Sequence, residues 1–137
     1  MPTILDSNVL LDLLLAEPPW HQWSANHIAA CHTDGPLVIN SIVFAESSPR
    51  FTDWIGLQRS IMRLGIEFEH VPWEAAFSAG KVHATYRKAG GARERTLPDF
   101  LIGAHAAVKG YRILTRDGQR YRSYFPDLGV IAPDTHP

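Results

Sequence analysis

The sequence predicts an α/β fold: a three-layer α/β/α sandwich around a central parallel sheet of four or five strands, in one domain spanning residues 1–137. Three observations predict it. Short apolar runs, the first of them β-branched, recur along the chain. Stretches with helical spacing separate them, and strands alternating with helices give parallel pairs joined by crossovers. Carboxylates follow strands directly or open helices, and in a parallel sheet these positions share the edge where open α/β folds bind ligands.

The first strand is Thr3, Ile4 and Leu5, followed at once by Asp6. A helix runs from about Asn8 to Ala16, ended by Glu17-Pro18-Pro19 because proline cannot donate a backbone hydrogen bond. A second helix fits Trp20 to Cys31 or His32, with Asp34-Gly35-Pro36 as a turn. Residues 37–40 form a second buried strand, and Ser41 is expected to cap the helix that carries Glu46. Pro49 interrupts that helix, and residues 51–64 resume helical spacing until Gly65. Residues 66–71 alternate like a strand with one exposed face, which places them at or near a sheet edge. Trp73 to Lys88 is a long helix, and 89–97, with two glycines, is a basic loop. Pro98 suits the first turn of a helix through residue 108. Gly103, Ala104, Ala106 and Ala107 suit its close packing on the sheet. Residues 111–114 are a strand, Asp117 opens a short helix to Tyr124, and 129–131 are a last strand.

The chain is 45% hydrophobic and 20% charged, which excludes a disordered or membrane-spanning class. The lone Cys31 excludes an internal disulfide and suits a reducing cytoplasm. The seven histidines make no common zinc spacing. His105 is expected to pack, and Asp12 to be exposed. The net charge of −1 hides an asymmetry, because ten of the thirteen Lys and Arg lie between Lys81 and Arg122. With four acids set aside as metal ligands the remainder is positive, as suits an enzyme acting on a phosphate backbone.

Those four acids are Asp6, Glu46, Asp99 and Asp117. Two ionised carboxylates about 4 Å apart repel by roughly 4 kcal/mol at an effective dielectric near 20, so a cluster of four calls for a cation. An all-oxygen set favours a hard ion, Mg2+ or Mn2+. Each acid also has an ordinary alternative, as a turn residue, a helix cap or a surface charge.

Four segments in order, Ile4-Leu-Asp-Ser-Asn-Val-Leu-Leu11, Asn40-Ser-Ile-Val-Phe-Ala-Glu46, Leu97-Pro-Asp-Phe-Leu-Ile-Gly-Ala104 and Ile113-Leu-Thr-Arg-Asp117, resemble those of the PIN-domain ribonucleases, and among them the VapC-like toxins of toxin–antitoxin pairs. The resemblance implies that Asp6, Glu46 and Asp99 are metal ligands, that Asp117 is the more variable fourth acid, and that Asn8 and Thr115 support the site. It implies a Mg2+- or Mn2+-dependent endoribonuclease, and within the basic segment Arg93, Arg95, Arg116 and Arg120 are expected to hold the RNA backbone. It implies a homodimer and an antitoxin docking on an aromatic surface that includes Trp20, Trp23 and Trp54. The chain departs from the family at Ser47-Ser48-Pro49, where the helix usually continues with larger residues. Two other classes stand beside this one. An aspartate-nucleophile phosphatase would want a second aspartate where this chain has Asn8, and a catalytically silent RNA- or protein-binding module would not need the acids.

Overall fold

Five short strands assemble into one parallel sheet in the order β3-β2-β1-β4-β5, in the computed structural model, which describes residues 1–91 and 96–137. The strands are β1 (Thr3–Leu5), β2 (Leu37–Ile39), β3 (Ile66–Phe68), β4 (Arg112–Leu114) and β5 (Val130–Ile131). Ile4 pairs with Val38 on one side and Ile113 on the other, so the first strand is the centre of the sheet. Among the described residues seven α-helices connect them, α1 (Ser7–Leu15), α2 (His21–Asp34), α3 (Ser41–Ser47), α4 (Trp54–Arg63), α5 (Trp73–Lys88), α6 (Leu97–Lys109) and α7 (Gly118–Arg122), with a 3-10 turn at Ser48–Arg50 after α3.

The topology fixes the layers. From β1 to β2 to β3 the chain steps outward in one direction, and from β3 it crosses back to β4 and on to β5. Right-handed crossovers therefore put α1–α4 on one face and α5–α7 on the other. The packing agrees: α1 lies against α2 and α3, and α6 against α5 and α7. The two faces also meet, because α3 touches α6. That contact brings the Glu46 helix beside the Asp99 helix.

β1 and β2 are buried along their whole length, and only the first residue of β3 is, as an edge strand requires. Ile4, Leu5, Leu10, Leu37, Ile39, Ile113 and Leu114 make the main core, each 1% exposed or less. Ala75, Ala79, Tyr86, Phe100, Ala104 and Phe125 make a second cluster between α5, α6 and the segment after α7. Small residues let α6 pack closely, as the sequence suggests. Gly103 lies under the Phe125 ring, and Ala104 and Ala106 are buried, while Ala107 is exposed.

Several boundaries differ from the sequence reading. Asn40, not Ser41, caps α3, its Oδ1 accepting from the N–H groups of Ile42 and Val43. An Asn side chain reaches two orphan donors at once, and its free amide contacts His105 Nδ1 at 3.0 Å. Residues 51–53 stay outside α4, because Asp53 caps that helix by accepting from Gly56 N–H. Gly65 ends the segment at φ 73°, a left-handed conformation suited to glycine. Asp12 is buried, not exposed. Ser24 Oγ donates to its Oδ2 at 2.7 Å, and Arg116 Nε stands 2.9 Å from the same oxygen. His105 packs as expected but in polar company, fully buried, with Nε2 2.8 Å from Glu69 Oε1. Tyr111 donates to the other oxygen of Glu69 at 2.9 Å.

Candidate active site

Asp6 leaves the central strand at its C-terminal end and caps α1, Oδ1 accepting from Ser7 N–H at 2.8 Å. Oδ2 accepts from two hydroxyls, Thr115 at 2.8 Å and Tyr121 at 3.0 Å. Only 1% of the residue is exposed. Burial pushes its carboxyl above the ordinary 3.8, and the Thr115 and Tyr121 hydroxyls and the Arg120 charge only partly offset it.

Asp99 sits in the first turn of α6, where its Oδ2 accepts from Thr96 N–H at 2.9 Å and the Thr96 hydroxyl at 3.3 Å. Its Oδ1 accepts from Arg120 Nη1 at 3.2 Å. Glu46 comes from α3 and accepts from Ser7 Oγ at 3.1 Å. The residue as a whole is exposed, and the Ser7 bond ties its carboxyl to the start of α1. Crowding by protein pushes its pKa above 4.5, and the negative charges of Asp6 and Asp99 push the same way. Asp117 caps α7, Oδ1 accepting from Arg120 N–H at 3.3 Å. Thr115 joins two acids, since its hydroxyl donates to Asp6 and accepts from Asp117 N–H at 3.0 Å. Asn8 accepts from Arg116 N–H, tying α1 to the end of β4.

Thus the sheet edge gathers Asp6, Glu46, Asp99 and Asp117, with Asn8 and Thr115 supporting them. It also gathers residues that the sequence reading did not assign to the site: Ser7, Thr96 and Tyr121. Tyr121 follows Asp117 by one helical turn, which is the spacing that places it on the same side. Arg120 departs most from expectation. Instead of facing outward, its guanidinium lies among the acids, Nη1 3.2 Å from Asp99 Oδ1 and 4.0 Å from Asp6 Oδ2. Its Nε lies 3.3 Å from Asp117 Oδ2, but the N–H is not aimed there and makes no hydrogen bond. Burial disfavours its charge, but Asp99 and Asp6 outweigh that and hold the guanidinium firmly protonated, above the ordinary arginine range.

Arg116 is also engaged within the protein, beside Asp12 and 5.6 Å from the centre of the Trp20 ring. Arg93 and Arg95 lie outside the described residues. The aromatic residues divide into two groups. Trp20 and Trp23 pack edge to face at 6.0 Å, and Trp23 Nε1 donates to His136 O. Trp54 is 63% exposed and lines a separate groove with Phe44, Ile61, Met62, Ile66 and Phe68.

The site suits a hard divalent cation in charge and chemistry. Its donors are carboxylate oxygens, and four of them outnumber the single guanidinium, which itself marks where positive charge is stabilised. As the side chains stand, no three His, Cys, Asp or Glu among the described residues are close enough together to hold a metal ion. Arg120 Nη1 stands near two of the acids, 3.2 Å from Asp99 Oδ1 and 4.0 Å from Asp6 Oδ2.

The fold resembles solved toxin–antitoxin structures. VapBC2 of Rickettsia felis bound to a promoter DNA fragment matches with a TM-score of 0.73 at 18% identity, covering 96% of this chain and 98% of that one. VapBC-1 of nontypeable Haemophilus influenzae matches at 0.72 and 20% identity, with the same coverage. FitAcB of Neisseria gonorrhoeae matches at 0.71 and 19% identity, covering 98% and 99%. Comparison with curated proteins gave no match. The PIN domain family model matches residues 3–125, nearly the whole of the sheet and the entire acidic edge, and the chain belongs to the PIN domain family.

Proposed function

We infer that the chain is a Mg2+- or Mn2+-dependent endoribonuclease and the toxin of a toxin–antitoxin pair. The observation that carries this is the approach of Asp6 and Asp99, from β1 and α6, to a single guanidinium, with Glu46 of α3 tied to the same edge through Ser7 Oγ. Fixed carboxylates brought together against their mutual repulsion store a demand for cations.

The chain's own residues define the roles. Asp6 is the most rigid acid, held on both oxygens by Ser7, Thr115 and Tyr121. Asp99 is fixed by Thr96 at a helix start. Glu46 is the more exposed ligand, positioned by Ser7 Oγ. A bound Mg2+ or Mn2+ would supply an activated water and stabilise the leaving oxygen of a phosphodiester. Lys81, Arg87 and Lys88 are exposed on α5 and offer phosphate contacts without breaking the internal ion pairs. The partner is an antitoxin whose apolar helix enters the groove around Trp54, with a second copy of the chain completing a dimer.

A phosphatase using Asp6 as nucleophile is less well supported, because both oxygens of Asp6 already accept hydrogen bonds. A silent binding module would keep Arg120 permanently among the acids. The deciding experiment incubates purified protein with a structured RNA, with and without Mn2+, using Asp6→Asn as control. Metal-dependent cleavage by the wild type alone supports the nuclease. Metal-independent cleavage, or none at any metal concentration, refutes it.

A further inference from the structure

Arg120 is a cation already present in a site that needs one. It projects from the third residue of α7, a five-residue helix capped by Asp117, and its side chain is 28% exposed. The guanidinium makes one well-formed contact with the acids, Nη1 to Asp99. It is 4.0 Å from Asp6, too far for a hydrogen bond, and its buried Nε is unpaired. A permanent structural arginine in such company usually forms a two-pronged pair with one carboxylate. Here one head is shared loosely among three, held by proximity of charge more than by fitted geometry.

We propose that Arg120 is the built-in counter-cation of the metal-free site, and that its guanidinium and a divalent ion compete for the oxygens of Asp6 and Asp99. This rests on the metal-dependent reading of the site. Without metal, Arg120 screens Asp6 from Asp99 and Glu46. When an ion enters, the two positive charges repel, and the arginine head moves outward. Asp117 stands on that outward path, with a carboxylate 41% exposed and an oxygen already 3.3 Å from Nε. The head therefore leaves the inner acids without losing all charge compensation. The consequence is a higher metal requirement than the carboxylates alone would set.

The test measures Mn2+ binding to RNA-free protein, by the electron paramagnetic resonance of free Mn2+ and by calorimetry, near pH 8 to limit competition from protons. Removing a full charge from the inner site in Arg120→Gln is expected to tighten Mn2+ binding by about tenfold or more. Arg120→Lys, which keeps the charge, is expected to stay near the wild type. Arg122→Gln breaks exposed contacts with Asp134 and Thr135, away from the acids, and is expected to leave Mn2+ binding unchanged. In the wild type, the Nε–H resonance of Arg120, assigned by its loss in Arg120→Lys, is expected to shift with Mg2+ along the binding curve. That measurement stands even where Arg120→Gln fails to fold. Equal or weaker Mn2+ binding by a folded Arg120→Gln overturns the proposal alone, as does an Arg120 resonance unmoved by bound Mg2+. If neither wild type nor variant binds Mn2+, the metal-dependent reading falls and this proposal with it.

Discussion

The Tyr121 hydroxyl donates a 3.0 Å hydrogen bond to Asp6 Oδ2, and neither side chain is more than 1% exposed. Tyr121→Phe keeps the ring and removes one of three donors from a buried carboxylate. The expected cost is on the order of 1–3 kcal/mol of stability. RNA cleavage is expected to fall as well, because Asp6 loses part of its orientation. Urea denaturation beside a cleavage assay checks both, and an unchanged midpoint refutes the first.

Asp99→Asn and Asp117→Asn are expected to differ. Asn at 99 keeps an acceptor for Thr96 but loses the charge facing Arg120 and the metal, so cleavage is expected to vanish. Asn at 117 remains a good helix cap, so part of the activity is expected to survive and to recover at higher Mn2+. Thermal unfolding run in parallel separates loss of chemistry from loss of fold. A folded, fully active Asp99→Asn protein would remove Asp99 from the site.

Glu69 supplies a pH dependence. Partial burial pushes its pKa up, but hydrogen bonds from His105 and Tyr111 and the nearby Lys109 charge outweigh burial and hold it below 4.5. The folded value lies below the unfolded one, so this stabilisation is present above about 4.5 and lost as pH falls through the folded pKa. Glu69→Gln is expected to melt below the wild type at neutral pH, with the gap closing in acid. Glu67 also acts on Tyr111, so Glu67→Gln serves as the control. A gap that stays constant down to strongly acid pH contradicts the assignment.

Gly103→Ala puts a methyl group into the Phe125 ring, which is itself buried. Overpacking costs about 1–3 kcal/mol, and the better helix propensity of Ala returns about 1. A net loss on the order of 1 kcal/mol is expected. Adding Phe125→Leu makes room, so the double variant is expected to lose less than the two single changes combined. Calorimetric melting of all three checks the coupling.

Trp54→Ala and Phe68→Ser alter side chains that are 63% and 52% exposed. Stability is expected to change by no more than about 0.5 kcal/mol, while affinity for an antitoxin falls. Trp23→Ala breaks packing with Trp20 and the bond to His136, so it is expected to lower stability. Unchanged antitoxin affinity in the Trp54 and Phe68 variants would move the partner elsewhere.

The fold was legible wherever local pattern and tertiary role coincide. The apolar runs at Thr3, Leu37 and Ile113 became strands, and α5 occupies the expected residues. The edge position of β3 showed in its alternation. The placing of Asp6, Asp99 and Asp117 at one edge was legible because strand ends and helix starts share that edge in a parallel sheet, whereas Glu46, expected near a helix start, stands in the last turn of α3. What was not legible depends on partners distant in sequence. Asp12 read as exposed because nothing near it announces Ser24 and Arg116. Arg120 read as an RNA-holding residue because only the folded chain brings Asp6 and Asp99 to it. Ser41 read as the cap because serine commonly is one, whereas Asn40 also answers to His105 across the core.

The first strand is the middle of the sheet, and this orders events in time. Asp6 is made early, but the hydroxyls of Thr115 and Tyr121 that hold it arrive 109 and 115 residues later. At about 5–20 residues per second, a growing chain carries Asp6 for roughly 5 to 20 seconds before its partners exist. Until then β1 lacks its β4 neighbour, and the Asp99 helix, though α5 and α3 are there to pack on, lacks the Arg120 contact that α7 brings. A truncated or stalled chain therefore carries three of the four acids without the arrangement that joins them. The site is assembled only once Thr115 and Tyr121 have joined Asp6, so any chemistry it performs waits on them.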